Sequence, residues 1–487
     1  MIYISFFLFS LSFLWPAHFE PLPLFYQNSF ILFSLMLLLA NFKRLTLDSL
    51  SIIFITLFLI IVIIEYLVNK SINDNAKYFF ITVVITIFSY LLGINYRDNL
   101  KNIKLFIPAY IFTVLVLFLI QIFQVYHIDS IYIKYISATS NRYYSNTGQP
   151  NILATIYVTA IAYLNISRNK KIYLILIAIF TLGVFLTKSR VGYLSLFICC
   201  LLSFIFTKEF KLKQLIRYNY PFILLLFLFT INYFSQRNFL EANRLSKFSN
   251  SRIDLYKDAV NLISDKPIVG YGWESAHKYI PKDNIIYFQS PTYSYHNLFI
   301  DLALSYGLII AGFIFVVFCC LIWKNRFNNI KVYIVSLPFL IHCLVEFPYY
   351  YWYLLMPFMF ILGFTNTKLL NNKAVSLNRS YILFFILFAV FLYKSFYDEY
   401  ELISTNYLRI YNSECMILPN KDWRFFADNA EQVNYFCLKD YDKASKKRIV
   451  DDSLKYVLLI DYVKNYELKD GEIRKYACLK YNYSCRD

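Results

Sequence analysis

Charge is what this chain has least of. Of its 487 residues only 16% are charged, while 59% are hydrophobic and 20% aromatic. A soluble domain cannot hide that much apolar surface, so that class is excluded. Glycine (10) and proline (13) are also scarce, a bias that fits the base composition of the source genome. No glycine-rich phosphate loop is built: Gly270-Tyr271-Gly272 reads as a turn, with no strand before it. Histidine is down to five, and no CxxC or His-rich spacing supports a metal site.

What the chain does have is long apolar runs. A helix crossing a bilayer needs roughly 20 apolar residues. About thirteen such segments start near Ile2, Phe30, Leu50, Lys77, Leu105, Pro150, Lys171, Val191, Tyr220, His296, Ile330, Tyr350 and Tyr381. The expected fold is all-α, a polytopic integral membrane protein. The first segment lacks a charged leader and reads as a helix rather than a cleaved signal.

The net charge of +17 is distributed as a topology signal. Lys43/Arg44, Arg97/Lys101/Lys104, Arg168/Lys170/Lys171, Lys208 to Arg217, Lys324/Arg326/Lys331 and Lys368/Lys373/Arg379 fall in alternate loops. Those loops are cytoplasmic by the positive-inside rule. The loops around His18, Asn73, Tyr143, Arg190 and Tyr349 then face outward, as does the C-terminus. Nucleic-acid binding is excluded by the same distribution.

Two outward pieces are larger than connections. One is the loop 236–295, inside a membrane domain of residues 1–396. The other is the tail 397–487, where apolar runs stop; Leu454, Val457 and Leu458 have helical spacing, so a small helical domain is expected. Cys415, Cys437, Cys478 and Cys485 all lie in that tail, where an oxidising compartment permits disulfides. Cys199, Cys200, Cys319, Cys320 and Cys343 lie in apolar segments and read as packing residues.

Polar residues at the membrane boundary call for a reason. Tyr295-His296-Asn297-Leu298-Phe299-Ile300-Asp301 joins the large loop to an apolar helix. Ser189-Arg190 and Gly148-Gln149-Pro150-Asn151 sit at other outward boundaries.

Asn146 to Ala154 resembles the GQPN-x-LA element of bacterial O-oligosaccharyltransferases, the protein glycosylation ligases. Thr187 to Leu194 is similar to the S-R-x-x-x-L element of the wider O-antigen ligase and polymerase superfamily. Ser251-Arg252-Ile253, Gly270 to Trp273 and His296 to Phe299 follow that superfamily's pattern. His342 to Pro348 resembles the H-x-x-x-E-x-P element of the protein-glycosylating branch, and Pro16 to Pro23 resembles its first periplasmic loop. Tyr256 stands where the family often has Trp, and the tail carries none of the elements above.

The resemblance implies a GT-C-like glycosyltransferase of the bacterial inner membrane with its site facing the periplasm. It would move a preassembled glycan en bloc from undecaprenyl pyrophosphate to Ser or Thr of a periplasmic or pilin protein. It implies no cofactor, no nucleotide sugar and no essential metal. The chemistry agrees. Arg190 and Arg252, with Arg142 a third, would stabilise charge on the leaving pyrophosphate. His296 would take the proton of the acceptor hydroxyl. Gln149 and Asn151 would orient donor groups. Tyr143, Tyr144, Trp273, Tyr293 and Tyr295 offer flat faces for sugar rings. Glu346 would pair with Arg190 or another arginine and hold it, and His342 lies one turn earlier.

Each residue also has a plainer reading. His296 can cap its helix, Arg190 can snorkel to headgroups, and Gln149-Pro150-Asn151 can be a helix start. His342 can be a helix–helix hydrogen bond, and Glu65 an interfacial anchor. Alternative functions keep the chemistry and change the acceptor, to lipid A-core (O-antigen ligase) or a growing chain (O-antigen polymerase). A transporter of lipid-linked glycan would instead line a central path with charge. The orientation is testable: a reporter active only outside the cytoplasm, fused after Tyr397, gives signal, and a cytoplasmic signal overturns the assignment.

Overall fold

Out of water, a backbone N–H or C=O without a partner is costly, and a helix satisfies its own. The described residues are mostly helical. The computed structural model describes residues 2–16, 24–69, 74–96, 100–126, 128, 142–167, 171–205, 212–235, 255–273, 294–328, 330–365 and 375–411.

In chain order the helices are α1 (Ile2–Leu14), α2 (Phe25–Leu39), α3 (Ser49–Asn69), α4 (Asp74–Tyr96) and α5 (Leu100–Val125). Then come α6 (Pro150–Ser167), α7 (Lys171–Thr187), α8 (Arg190–Ile205) and α9 (Leu212–Ser235). Residues 255–265 form α10. The last four are α11 (Leu298–Asn328), α12 (Ile330–Cys343), α13 (Trp352–Thr365) and α14 (Arg379–Tyr411). Every apolar segment expected from the sequence falls on one of these helices. Five described stretches, in α3, α4, α5, α11 and α14, are long and apolar enough to cross a membrane.

Two features depart from expectation. A small antiparallel sheet pairs β1 (Arg44–Leu47) with β2 (Val375–Asn378), with Arg44 opposite Asn378. Four residues per strand are too few for an alternating pattern to stand out, and the partners are far apart in sequence. The strand is held locally as well, because Asn95 Oδ1 accepts from the Thr46 amide and hydroxyl, both at 2.8 Å. The second feature is α14, which runs unbroken through residues 396 and 397, where the tail domain was expected to begin. The tail's four cysteines lie outside the described residues.

The core runs between the helices. Leu91, Leu92, Ile152, Tyr157, Phe180 and Met359 are among its buried side chains. The backbones of α4 and α13 approach each other directly. A Cβ on Gly93 would meet the Phe360 carbonyl oxygen, and one on Gly363 would meet that of Tyr90. Small residues allow this close packing where lipid provides no hydrophobic drive.

α11 is interrupted. Gly307 has φ +84°, in the left-handed region. The segment 267–272 fits into the break: Leu308 N donates to Pro267 O at 2.8 Å, Tyr271 N to Leu304 O at 2.8 Å and Gly272 N to Ser305 O at 2.9 Å. Backbone groups freed by the break are thus paired again. A Cβ on Gly307 would strike the Ile268 carbonyl.

Gly93→Ala forces methyl against backbone and should cost about 1–3 kcal/mol. Gly312, whose Cβ would meet nothing within 4 Å, is the control. Thermal unfolding in detergent should fall for Gly93→Ala and stay unchanged for Gly312→Ala. Equal melting of the two would refute the packing argument.

Candidate active site

Two glutamines in the apolar α5 build the first wall. Gln124 Oε1 accepts from the amides of Tyr144 (3.1 Å) and Ser145 (2.7 Å), and its Nε2 donates to Ser145 O. Gln121 Nε2 donates to Tyr143 O and Gly183 O, and its Oε1 accepts from the Tyr157 hydroxyl. Both are buried. They fix the turn 143–149, which leads into α6 with Pro150 at its first position, where a missing N–H costs nothing.

Asn151 follows at the start of α6 and joins four elements. Its Oδ1 accepts from Ser189 Oγ (2.8 Å) and Arg142 Nη2 (3.1 Å), and its Nδ2 donates to Glu346 Oε1 (3.2 Å). The other Glu346 oxygen, Oε2, lies 2.7 Å from His296 Nδ1. Glu346 is only 7% exposed, against 26% for the His296 side chain. With Glu346 ionised, Nδ1–H is the donor, and the lone pair of a neutral ring is on Nε2. One polar chain therefore connects guanidinium, amide, carboxylate and imidazole.

His342 supports it from below. Its backbone O accepts from Glu346 N at 2.9 Å. Its Nδ1 lies 2.8 Å from Thr155 Oγ1, whose hydroxyl points at Asn151 O, 3.0 Å away. That hydroxyl has one proton, so His342 Nδ1 is the donor of the pair. His342 is fully buried.

His296 has φ +56°, a backbone state that a bulky residue adopts only under constraint. Asp301 supplies that constraint. Its Oδ1 accepts from Tyr295 N (2.7 Å), and its Oδ2 from Ser294 Oγ (2.6 Å) and the Tyr349 hydroxyl (2.7 Å). Ser294 Oγ in turn accepts from His296 N (3.0 Å). Asn297 caps α11, its Oδ1 accepting from the Phe299 and Ile300 amides, while its Nδ2 donates to Leu344 O. The described non-glycine residues with positive φ are Ser145, Lys188 and His296. All three border this network, as stored strain at working sites does.

The expected residues separate into groups. His296, Glu346, Asn151, Arg142 and His342 come together. Arg190 stands exposed beside Ser189, and among the described residues no hydrogen bond or ion pair holds its guanidinium. Glu346 does not pair with Arg190; burial makes it bond to the nearer donors on His296 and Asn151. Gln149 is half-buried, and its side chain makes no hydrogen bond among the described residues. Arg252 and Tyr293 lie outside the described residues.

Three expectations are corrected. Trp273 is 1% exposed and stacks on Phe79 at 3.6 Å, so its ring is not an open platform for a sugar. Tyr295 is buried against Leu255, Ala259 and Tyr271. Burial, reinforced by Asp258, Asp301 and Tyr271, pushes its phenol well up, so it stays protonated. Glu65 is no interfacial anchor: fully buried, it accepts from Trp273 N at 2.8 Å and Asn69 Nδ2 at 2.7 Å.

Gln121, Gln124, Asn297 and Asp301 were not singled out from the sequence. The signal was present: two glutamines one turn apart inside an apolar run, and an aspartate in the first turn of a membrane helix.

Comparison with known proteins follows this geometry. Residues 174–317 match the model of the O-antigen ligase family. The match contains Ser189, Arg190, His296 and Asp301; Asn151 and Glu346 lie outside it. The chain is similar to the ComP-specific O-oligosaccharyltransferase of Acinetobacter baylyi, 26% identical over 377 residues, covering 69% of this chain and 67% of that protein. It is also similar to the general O-oligosaccharyltransferase of the same organism, 28% identical over 176 residues, covering 34% and 30% of the two chains.

Asp301→Ala removes the acceptor of a buried amide and two hydroxyls. The hydroxyls can turn elsewhere and the amide cannot, so the cost should be about 2–4 kcal/mol. A melting temperature unchanged from wild type in detergent would show that Asp301 does not clamp the turn.

Proposed function

We propose that the chain is an O-oligosaccharyltransferase of the O-antigen ligase superfamily, and that it moves a preassembled oligosaccharide en bloc from undecaprenyl pyrophosphate to a serine or threonine of a periplasmic or pilin protein. The protein lies in the bacterial inner membrane with about thirteen spans, its site facing the periplasm. Neither a metal ion nor a nucleotide sugar takes part.

The observation that carries this reading is the His296–Glu346 pair at 2.7 Å, on an imidazole about a quarter exposed. The acceptor hydroxyl loses its proton to His296 Nε2 as its oxygen bonds to the anomeric carbon. The bond from that carbon to the pyrophosphate oxygen breaks, and the electron pair leaves with undecaprenyl pyrophosphate. Glu346 stabilises the imidazolium through Nδ1–H. Asn151, held by Arg142 and Ser189, keeps the carboxylate in place. The exposed guanidinium of Arg190, with that of Arg252, receives the growing charge on the pyrophosphate. Arginine suits the role because its planar fork binds phosphate bidentately. The half-buried Gln149 amide is placed to orient the donor. The matched relatives are named as O-oligosaccharyltransferases, one of them ComP-specific, which supports oligosaccharide transfer.

Purified chain, lipid-linked oligosaccharide and a periplasmic acceptor protein should yield a glycoprotein. Transfer only to lipid A-core, or only lengthening of the glycan, would favour a ligase or polymerase. His296→Gln keeps a hydrogen-bonding group but cannot take the proton, so the rate should fall about 10²–10⁴-fold. Glu346→Gln turns one oxygen into a donor facing either Asn151 or His296 and should lower the turnover rate more than acceptor binding. Arg190→Lys loses the fork and should cost on the order of 10²-fold. Near wild-type transfer by His296→Gln at equal expression would remove it as base.

A further inference from the structure

The turn that fills the break in α11 carries an apolar face that nothing described covers. Ile268 is 64% exposed and Val269 43%. Both belong to the outward loop, where exposed aliphatic side chains are not needed for solubility. The turn lies directly against a lipid-facing surface. Its Pro267 carbonyl accepts from Leu308 N at 2.8 Å. Leu308 and Ile309 are 51% and 66% exposed on the membrane-spanning stretch Leu298–Cys320.

Depth follows from length. The apolar part of α11 ends at Trp323, just before Lys324 and Arg326. Counting back from Trp323 at about 1.5 Å per residue puts Leu308, the first residue past the break, roughly 22 Å along, within about 8 Å of the far side of a 30 Å bilayer core. The turn is hydrogen-bonded to α11 at Leu304, Ser305 and Leu308. It therefore sits near where hydrocarbon gives way to headgroups. Beside it, Lys266 lies over the Tyr271 ring at 4.5 Å, placing an ammonium at that level, where long basic side chains reach for headgroups.

We propose that the Pro267–Val269 turn is seated in the outer leaflet of the bilayer, with Ile268 and Val269 among the lipids. The occupant is lipid because the apolar face is continuous with the lipid-facing side of α11 through a main-chain hydrogen bond. The proposal rests on reading α11 as a spanning helix with its His296 end outward. It deepens the functional reading: α10 begins three residues after Arg252 and leads into this turn. Seating the turn fixes the C-terminal end of α10 at the depth of a lipid-borne pyrophosphate, and Arg252 precedes the other end of that helix in sequence.

The test places a polarity-sensitive fluorescent amino acid at position 268 of the full chain by codon suppression. Positions 309 and 261 serve as lipid-facing and water-facing references. The protein is reconstituted in phosphatidylcholine–phosphatidylglycerol vesicles with or without brominated acyl chains. Emission from 268 should be blue-shifted relative to 261 and quenched at least twofold by brominated lipid, as at 309. Water-like, unquenched emission at 268 with normal quenching at 309 overturns the proposal. Blue-shifted but unquenched emission also overturns it, assigning the face to a protein contact with a second copy or an acceptor. Quenching is read without any glycan, so absent transfer with intact quenching counts against the functional reading alone.

Discussion

Backbone polar groups that leave a helix in an apolar medium must find partners, and this requirement shapes several of the described irregular segments. At each of them a buried side chain or a second backbone supplies what the helix no longer does. Gln121 and Gln124 serve the turn before α6, at Tyr143 O and the Ser145 amide. Asn28 serves the turn before α13, donating to Tyr350 O and accepting from Trp352 N. Glu65 serves Trp273, and Asp301 serves Tyr295. The break at Gly307 is closed by main chain alone.

The same requirement locates the chemistry. Irregular backbone lets side chains from separate helices converge, which regular helices at bundle spacing do less readily. Glu346 leaves α12 just where the helix ends, and Asn151 enters α6 just where that helix starts. The non-helical conformations of Ser145, Lys188 and His296 aim three chain segments at one place. A carboxylate 7% exposed is stable there only because both oxygens are occupied. Positioning and proton chemistry are thus served by one set of hydrogen bonds.

Periodicity and composition were enough to read the helices, because an apolar run near bilayer length admits little else. His296, Asn151, Arg142, Glu346 and His342 were legible as polar residues in apolar surroundings. Their pairing was not. Glu346 follows Asn151 by 195 positions, and no local pattern says which donor a buried carboxylate will meet. Trp273 and Tyr295 misled for the opposite reason: an aromatic at an outward boundary has the same letter whether it faces a sugar or Phe79. The strands escaped notice because each is short and its partner distant.

The β1–β2 pairing has a consequence for the order of assembly. Asn378 follows Arg44 by roughly 330 residues. At about 5–20 residues per second, translation takes tens of seconds to bridge that interval. Throughout it, β1 offers an unpaired strand edge while ten or more hydrophobic segments are being inserted. The clasp from Asn95 to Thr46 forms much sooner, once α4 is made. It occupies part of that edge during the wait, so that the late strand closes onto a site already shaped by a neighbour.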